Sequence, residues 1–170
     1  IAALPLLVLE PTLDLDNPGW KNDPPNEWVF GRAFLYSNDA DRLLFWGRLP
    51  VVLLGVLTAF YVFRWANDLF GRGAGLAALF LCAFSPTVIA HSRFVTFDVP
   101  LACFSTISLY YFWRYSRRRD TRDLGLAGIG LGLTLAAKFS GVILLGVYGL
   151  LMLVLHFTSS RAEIEPRGSF

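Results

Sequence analysis

Charge is what this 170-residue chain has least of. Only 16% of its residues are Asp, Glu, Lys or Arg, against 55% hydrophobic, and its mean hydropathy is +0.51. A soluble domain carries about 25% charged residues, so a soluble globule of this size is excluded. High net charge is missing too: fifteen Lys and Arg against thirteen Asp and Glu leave +2. That balance argues against a nucleic-acid partner, and the hydropathy excludes intrinsic disorder. Cysteine is scarce. Cys82 and Cys103 both lie in apolar runs without CxxC spacing, which supports neither a disulfide framework nor a zinc site. There is no Asn-x-Ser/Thr sequon in the long polar stretch, no basic leader with a cleavage site at the start, no glycine-rich phosphate cradle after a strand, and no internal repeat.

What is present is apolar sequence in blocks. The opening IAALPLLVLEP is shorter than the roughly 20 residues needed to span a bilayer core, and reads as an interfacial helix or as the tail of something begun upstream. Residues 10–48 are polar, with Pro11, Pro18, Pro24, Pro25 and several Asn and Asp turn formers. They also hold Trp20, Trp28 and Trp46, rings that suit a membrane–water interface. The later half of this stretch has room for a short amphipathic helix. Uncharged runs then follow at 49–63, 73–92, 99–113, 124–137 and 139–160, separated by short charged connectors. The expected architecture is all-α: a polytopic transmembrane bundle of about five spans (49–65, 73–91, 97–114, 124–138 and 140–157). An extracytoplasmic segment over 1–48 precedes it, and a tail over 158–170 follows. Gly128 and Gly132 form a GxxxG, and further glycines flank them, small surface that lets membrane helices approach.

With five spans, nine Lys and Arg fall on one side and six on the other, and RYSRRRDTR concentrates five arginines in one loop. The positive-inside rule places that loop in the cytoplasm and residues 10–48 outside. The arginine loop is a topology determinant that also meets anionic lipid.

Three of the uncharged runs have only 14 or 15 residues, about 22 Å of a core nearer 30 Å. Charge therefore sits at or inside the membrane edge, and the outer ends of these runs are Arg48, Asp98 and Lys138. Arg93 and His91 join them from the connector between the second and third spans. Ionisable groups at membrane depth are costly and mark functional sites by default. One Asp among these cations leaves excess positive charge suited to a lipid-linked phosphate, which Arg binds bidentately and Lys as a point charge. Asp98 can orient a cation, ligate a metal or accept a proton. Each residue also has a purely structural reading. Asp98, two before Pro100, can N-cap the third span. Arg48, Arg93 and Lys138 can snorkel to headgroups, and His91 can be a hydrogen-bonded interfacial histidine. Convergence of the group on one membrane face favours a site.

The segment SPTVIAHSRFVTFDVPLACFSTISLYYFWRY, with NDADRLLFWGRLPVVLLG before it and GLGLTLAAKFSG after it, resembles the polyprenyl-phosphate-dependent glycosyltransferases of the GT-C fold. Within them it is most similar to the protein O-mannosyltransferase and aminoarabinose-transferase group. The resemblance runs from Asn38 to about Gly141 and implies a partial GT-C fold and a membrane enzyme with its active site facing outside. Such an enzyme moves a sugar from a polyprenyl-phosphate donor to a protein, lipid or glycan acceptor, typically with inversion. The compact loops and this likeness place it in a bacterial cytoplasmic membrane. By this likeness Arg93, Lys138 and Arg48 hold the donor phosphate and Asp98 organises the pocket; His91, which joins them by its position in the chain, is a further substrate-binding candidate. The lipid-phosphate sugar is a co-substrate; no other cofactor is implied, and metal dependence stays open. The family's principal catalytic acid stands in the first outer loop after a first transmembrane helix. Asp14, Asp16 and Asp23 lack a comparable context, so the expectation is a fragment, inactive alone, whose principal acid lies upstream. The rival classes are a transporter or flippase fragment, which expects ionisable residues at the bilayer midplane, and a non-catalytic membrane scaffold.

Overall fold

Several helix starts in this chain are written by Asn and Asp. In the computed structural model, which describes residues 3–22 and 24–164, the Asn17 side chain accepts from the Gly19 amide at 2.8 Å and opens α2 (Pro18–Lys21). Asn26 accepts from Val29 at 3.1 Å and opens α3 (Glu27–Tyr36). Asp39 accepts from Arg42 at 3.1 Å and opens α4 (Ala40–Phe70). Each supplies an acceptor to an amide that the first helical turn leaves unpaired. A single turn, α1 (Leu6–Leu9), precedes them. The polar stretch therefore holds short helices, as its composition implies. Its later half divides at residues 37–39, and the second part belongs to the long α4.

Asn38 ties this region together. Its Oδ1 accepts from the amide and the hydroxyl of Thr12, both at 2.9 Å, while its Nδ2 donates to the Thr12 and Phe34 carbonyls at 3.0 and 2.8 Å. Buried Gly19 seats α2 on α3, because a Cβ there would lie 2.6 Å from the Phe30 amide nitrogen. Backbone cannot swing aside. Gly19→Ala is expected to cost about 1–3 kcal/mol and to part α2 from α3, seen as faster amide exchange in those two helices with α4 unchanged.

Six helices form the bundle. α4 is followed at Gly71 (φ 87°) by α5 (Arg72–Ala83), which turns back along α4; a Cβ on Gly75 would press on Phe63 and Asn67. α6 (Pro86–Ser92) leaves α5 at a 58° bend. Pro86 supplies no amide and forces Ser85 out of helical geometry (ψ 119°), so the single apolar run over 73–92 is two helices. α7 (Asp98–Arg118) and α8 (Thr121–Ala137) form a hairpin, α8 being capped by Asp120. A 3₁₀ turn (Phe139–Val142) leads to α9 (Ile143–Ile164). The expected tail over 158–170 is helical to Ile164, and residues 165–170 lie outside those described.

α7 is the central rod. Cys103, Ser108 and Tyr110 on it have no solvent exposure. Ser108 donates to the Ala127 carbonyl at 2.7 Å and shares a 2.6 Å hydrogen bond with the Tyr148 hydroxyl, joining α7, α8 and α9. Phe112, Ala127, Leu144 and Tyr148 pack beside this knot. The glycine that permits it is Gly130, whose Cβ would lie 2.9 Å from Ser108 Cα. Gly128 and Gly132, the GxxxG pair, meet nothing within 4 Å: they lie on other faces of α8.

Among the described residues one helix, α4, is long and apolar enough to cross a membrane by itself, and the bent α5–α6 pair makes a second if it counts as one span. α7 has the length, but its Ser, Thr and Tyr residues lower its hydropathy. α8 has 17 residues, and the apolar part of the last helix covers Phe139–Leu155. Only 22% of the most apolar window of α4 is buried, and Leu53, Phe80, Leu81, Ile129, Ile143 and Leu150 are exposed on the outer faces. Apolar surface on this scale needs a non-aqueous neighbour or a partner.

Candidate functional site

Three junctions meet at one end of the bundle. α6 ends at Ser92, α7 begins at Asp98, and α8 ends at Ala137, leaving His91, Asp98 and Lys138 side by side. Lys138 Nζ stands 2.6 Å from Asp98 Oδ1. His91 Nδ1 is 3.9 Å from Asp98 Oδ2, within ion-pair reach but too long for a hydrogen bond. All three side chains are half-exposed, at 47%, 46% and 43% for His91, Asp98 and Lys138.

The structure decides the role of Asp98 in its own helix. The α7 N-cap is Phe97, with no side-chain cap bond, and Asp98 is the first helical residue. Its carboxylate accepts from Lys138, so the pair closes the α7–α8 hairpin across the end opposite its loop. Lys138 is held by the chain that follows it. A Cβ on Gly141 would lie 2.7 Å from the Thr134 carbonyl oxygen, so the 3₁₀ turn folds tightly onto the end of α8 and fixes the extended backbone at Lys138 (φ −157°, ψ 142°).

Arg93, two residues after His91, and Arg48, near the start of α4, do not join this cluster. Arg93 caps α6 and is exposed. Arg48, half-buried on α4, stands one turn before Val51, which lines a cavity with Thr96 and Phe97. Neither arginine side chain makes a hydrogen bond or ion pair among the described residues. Sequence reading placed all five residues at one end; the structure pairs Asp98 with Lys138, sets His91 beside them, and leaves two guanidinium groups unpaired.

Two cavities flank the first turn of α7. One, of about 270 Å³, lies between α4, α6 and α7 and is lined by Gly55, Thr58, Thr87, His91, Ser92 and Asp98, among others. The other, of about 380 Å³, lies mainly between α4, α7 and α8, with Val51, Leu54, Phe97, Phe104 and Leu133 in its wall; both cavities are mainly apolar, the first the more so. Thr96 also lines the second, and the Thr96 hydroxyl is buried without a hydrogen-bond partner among the described residues. No group of three or more His, Cys, Asp and Glu side chains gathers among the described residues, and Cys82 and Cys103 are free thiols.

The opposite end carries a polar network that block-wise reading of hydropathy passes over. Arg64 Nε donates to the Tyr110 hydroxyl at 2.9 Å, and that hydroxyl donates to Asp68 Oδ2 at 2.8 Å. Arg114 Nε lies 3.2 Å from Asp123 Oδ2, an ion pair whose angle falls short of a hydrogen bond. The guanidinium of Arg114 also lies 5.7 Å from the Tyr110 and Tyr111 ring centres. The signal in the sequence is helical spacing: Arg64 and Asp68 are four apart, as are Tyr110 and Arg114.

The fold is thus an all-α bundle with, among the described residues, one or two helices apolar enough to cross a membrane and a cation–carboxylate cluster at one end. The chain belongs to the dolichyl-phosphate-mannose-protein mannosyltransferase family, whose sequence pattern matches residues 41–164. This is a family of membrane glycosyltransferases that use polyprenyl-phosphate-linked sugar donors. No curated protein and no solved structure matches the chain.

Proposed function

We propose that the chain forms the donor-binding part of a glycosyltransferase acting at the extracytoplasmic membrane face. In this reading α4, the bent α5–α6 pair, α7, α8 and α9 each cross the bilayer, and the arginine-rich α7–α8 loop is cytoplasmic. The membrane is a bacterial cytoplasmic membrane, and the acceptor is a protein, lipid or glycan. The observation that carries the reading is the Asp98–Lys138 pair, with His91 beside it, next to two mainly apolar cavities that flank the first turn of α7.

An ammonium has three N–H donors. Asp98 takes one from Lys138, which fixes the direction of the other two, and these are free to bind phosphate oxygens. Arg93 and Arg48, both unpaired, add cationic charge from the loop and from α4. Both cavities have mainly apolar walls and suit the first isoprene units of the donor lipid. Transfer breaks the bond between the anomeric carbon and the phosphate oxygen and forms one to an acceptor oxygen. The acceptor proton leaves to a base, and the electron pair of the broken bond goes to the lipid phosphate. Preorganised cations facing that developing charge supply a large share of catalysis.

Arg93→Ala in the complete protein, assayed in vesicles with labelled polyprenyl-phosphate sugars, is expected to lower transfer by about 10²–10³-fold. Arg42→Ala, outside the cluster, should remain near wild type. Full activity of Arg93→Ala would remove the residue from the site.

The bent α5–α6 pair also suits a transporter, in which broken helices carry substrate. The break at residues 84–85 holds Phe84 and Ser85 and no ionisable group, so the transferase reading is preferred. Movement of labelled lipid across vesicles without any sugar transfer would reverse that preference.

A further inference from the structure

We infer that the end of the bundle opposite Asp98 holds a discrete site for the phosphate of an anionic phospholipid headgroup, seated between α4 and α7. The inference does not depend on the transferase reading.

A cavity of about 130 Å³ at this end is lined by Asp68, Trp113, Arg114, Arg117 and Arg118. Two of the local carboxylates are already engaged. Asp68 accepts from Tyr110, which in turn accepts from Arg64. Asp123, 4% exposed, faces Arg114. The side chains of Arg117 and Arg118 are exposed and have no partner among the described residues. Two guanidinium groups therefore stand over a cavity whose other charges are balanced. A planar fork of donors matches phosphate oxygens bidentately.

The surroundings select a lipid over a soluble anion. Trp113 forms one wall and lies 6.4 Å, centre to centre, from Trp65, whose buried indole nitrogen has no hydrogen-bond partner among the described residues. Paired indoles belong at the headgroup level of a bilayer. Leu69 and Phe70, which follow Asp68, are exposed and offer apolar surface to acyl chains. A phosphate between the arginines thus meets charge on one side, while its chains meet hydrocarbon on the other.

The site differs from general attraction to a basic loop in that it uses Arg117 and Arg118 and leaves out Arg119 and Arg122, which do not line the cavity. The test uses the complete protein in neutral detergent, titrated with short-chain phosphatidylglycerol, phosphatidylcholine or inorganic phosphate, and read as bound lipid by native mass spectrometry. Phosphatidylglycerol is expected to bind more tightly than the other two. The double substitution R117Q/R118Q should weaken it about thirtyfold, the loss of two arginine contacts at a membrane surface. R119Q/R122Q, with the same change in net charge, should shift it by less than threefold. Melting temperatures of both variants within 2 °C of wild type would exclude misfolding as the cause. Equal weakening by the two pairs, or none by R117Q/R118Q, would overturn the discrete site. Inorganic phosphate binding as tightly as phosphatidylglycerol would overturn its assignment to lipid.

Discussion

Replacing Asp98 by Ala is expected to reduce sugar transfer by about 10²–10³-fold while membrane insertion stays intact. The reason is positional. Lys138 ends α8 on an extended residue, and its only fixed partner among the described residues is the Asp98 carboxylate at 2.6 Å. Without it the ammonium ranges over several rotamers, and the donors aimed at the phosphate are no longer preorganised. Asp98→Asn still accepts a hydrogen bond from Lys138 and should lose less, about tenfold, the size of a charge-assisted contact weakened to a neutral one. Lys138→Ala should match Asp98→Ala. The double substitution should be little worse than either single one, because residues acting as a unit are not additive. Multiplicative losses in the double variant would mean that the two groups act separately. Full activity in Asp98→Ala would take Asp98 out of the site.

Gly130→Val is expected to produce the largest loss of stability. A Cβ at position 130 would lie 2.9 Å from both Cα and Cβ of Ser108 and 3.0 Å from its amide nitrogen. These atoms belong to α7 itself, so α7 and α8 must separate. Overpacking of this kind costs about 1–3 kcal/mol, and separation also lengthens the 2.7 Å bond from Ser108 to the Ala127 carbonyl, worth about another 1 kcal/mol. Thermal unfolding in detergent would register this as a lower midpoint. Transfer activity should fall with it, since Asp98 and Lys138 sit on the two helices being parted. Gly128→Ala and Gly132→Ala, with open space around both positions, should stay within about 0.5 kcal/mol of wild type. A stable Gly130→Val, or an unstable Gly132→Ala, would contradict this packing.

The contrast between these glycines marks what the sequence could and could not convey. Small residues announce close approach somewhere on α8, but the face that meets α7 is fixed by tertiary contacts, and it carries Gly130. The ends of α4 were hidden for a related reason. An apolar run stops at the first charge, whereas helical hydrogen bonding continues through Arg48 and Arg64 to a capping Asp39 and a terminal Gly71. α4 is therefore 31 residues long, about 46 Å, against an uncharged run of half that length. The bend between α5 and α6 was signalled by Ser85–Pro86, yet hydropathy alone reads straight across it. By contrast, the charges at the ends of the short runs were visible at once. That Asp98 selects Lys138, from 40 positions away, while Arg93 stays unpaired, depends on where three loops converge.

The contact between Gly55 and Ser92 has a further consequence. A Cβ at position 55 would stand 2.6 Å from the Ser92 hydroxyl oxygen, and that hydroxyl can rotate away from a methyl group. A branched side chain leaves it nowhere to go, and α6, only seven residues long, would ride up and carry His91 with it. Position 55 thus sets the headroom under the short helix: its bulk grades how wide the chamber between α4, α6 and α7 opens, a single dial that works without altering any charged group.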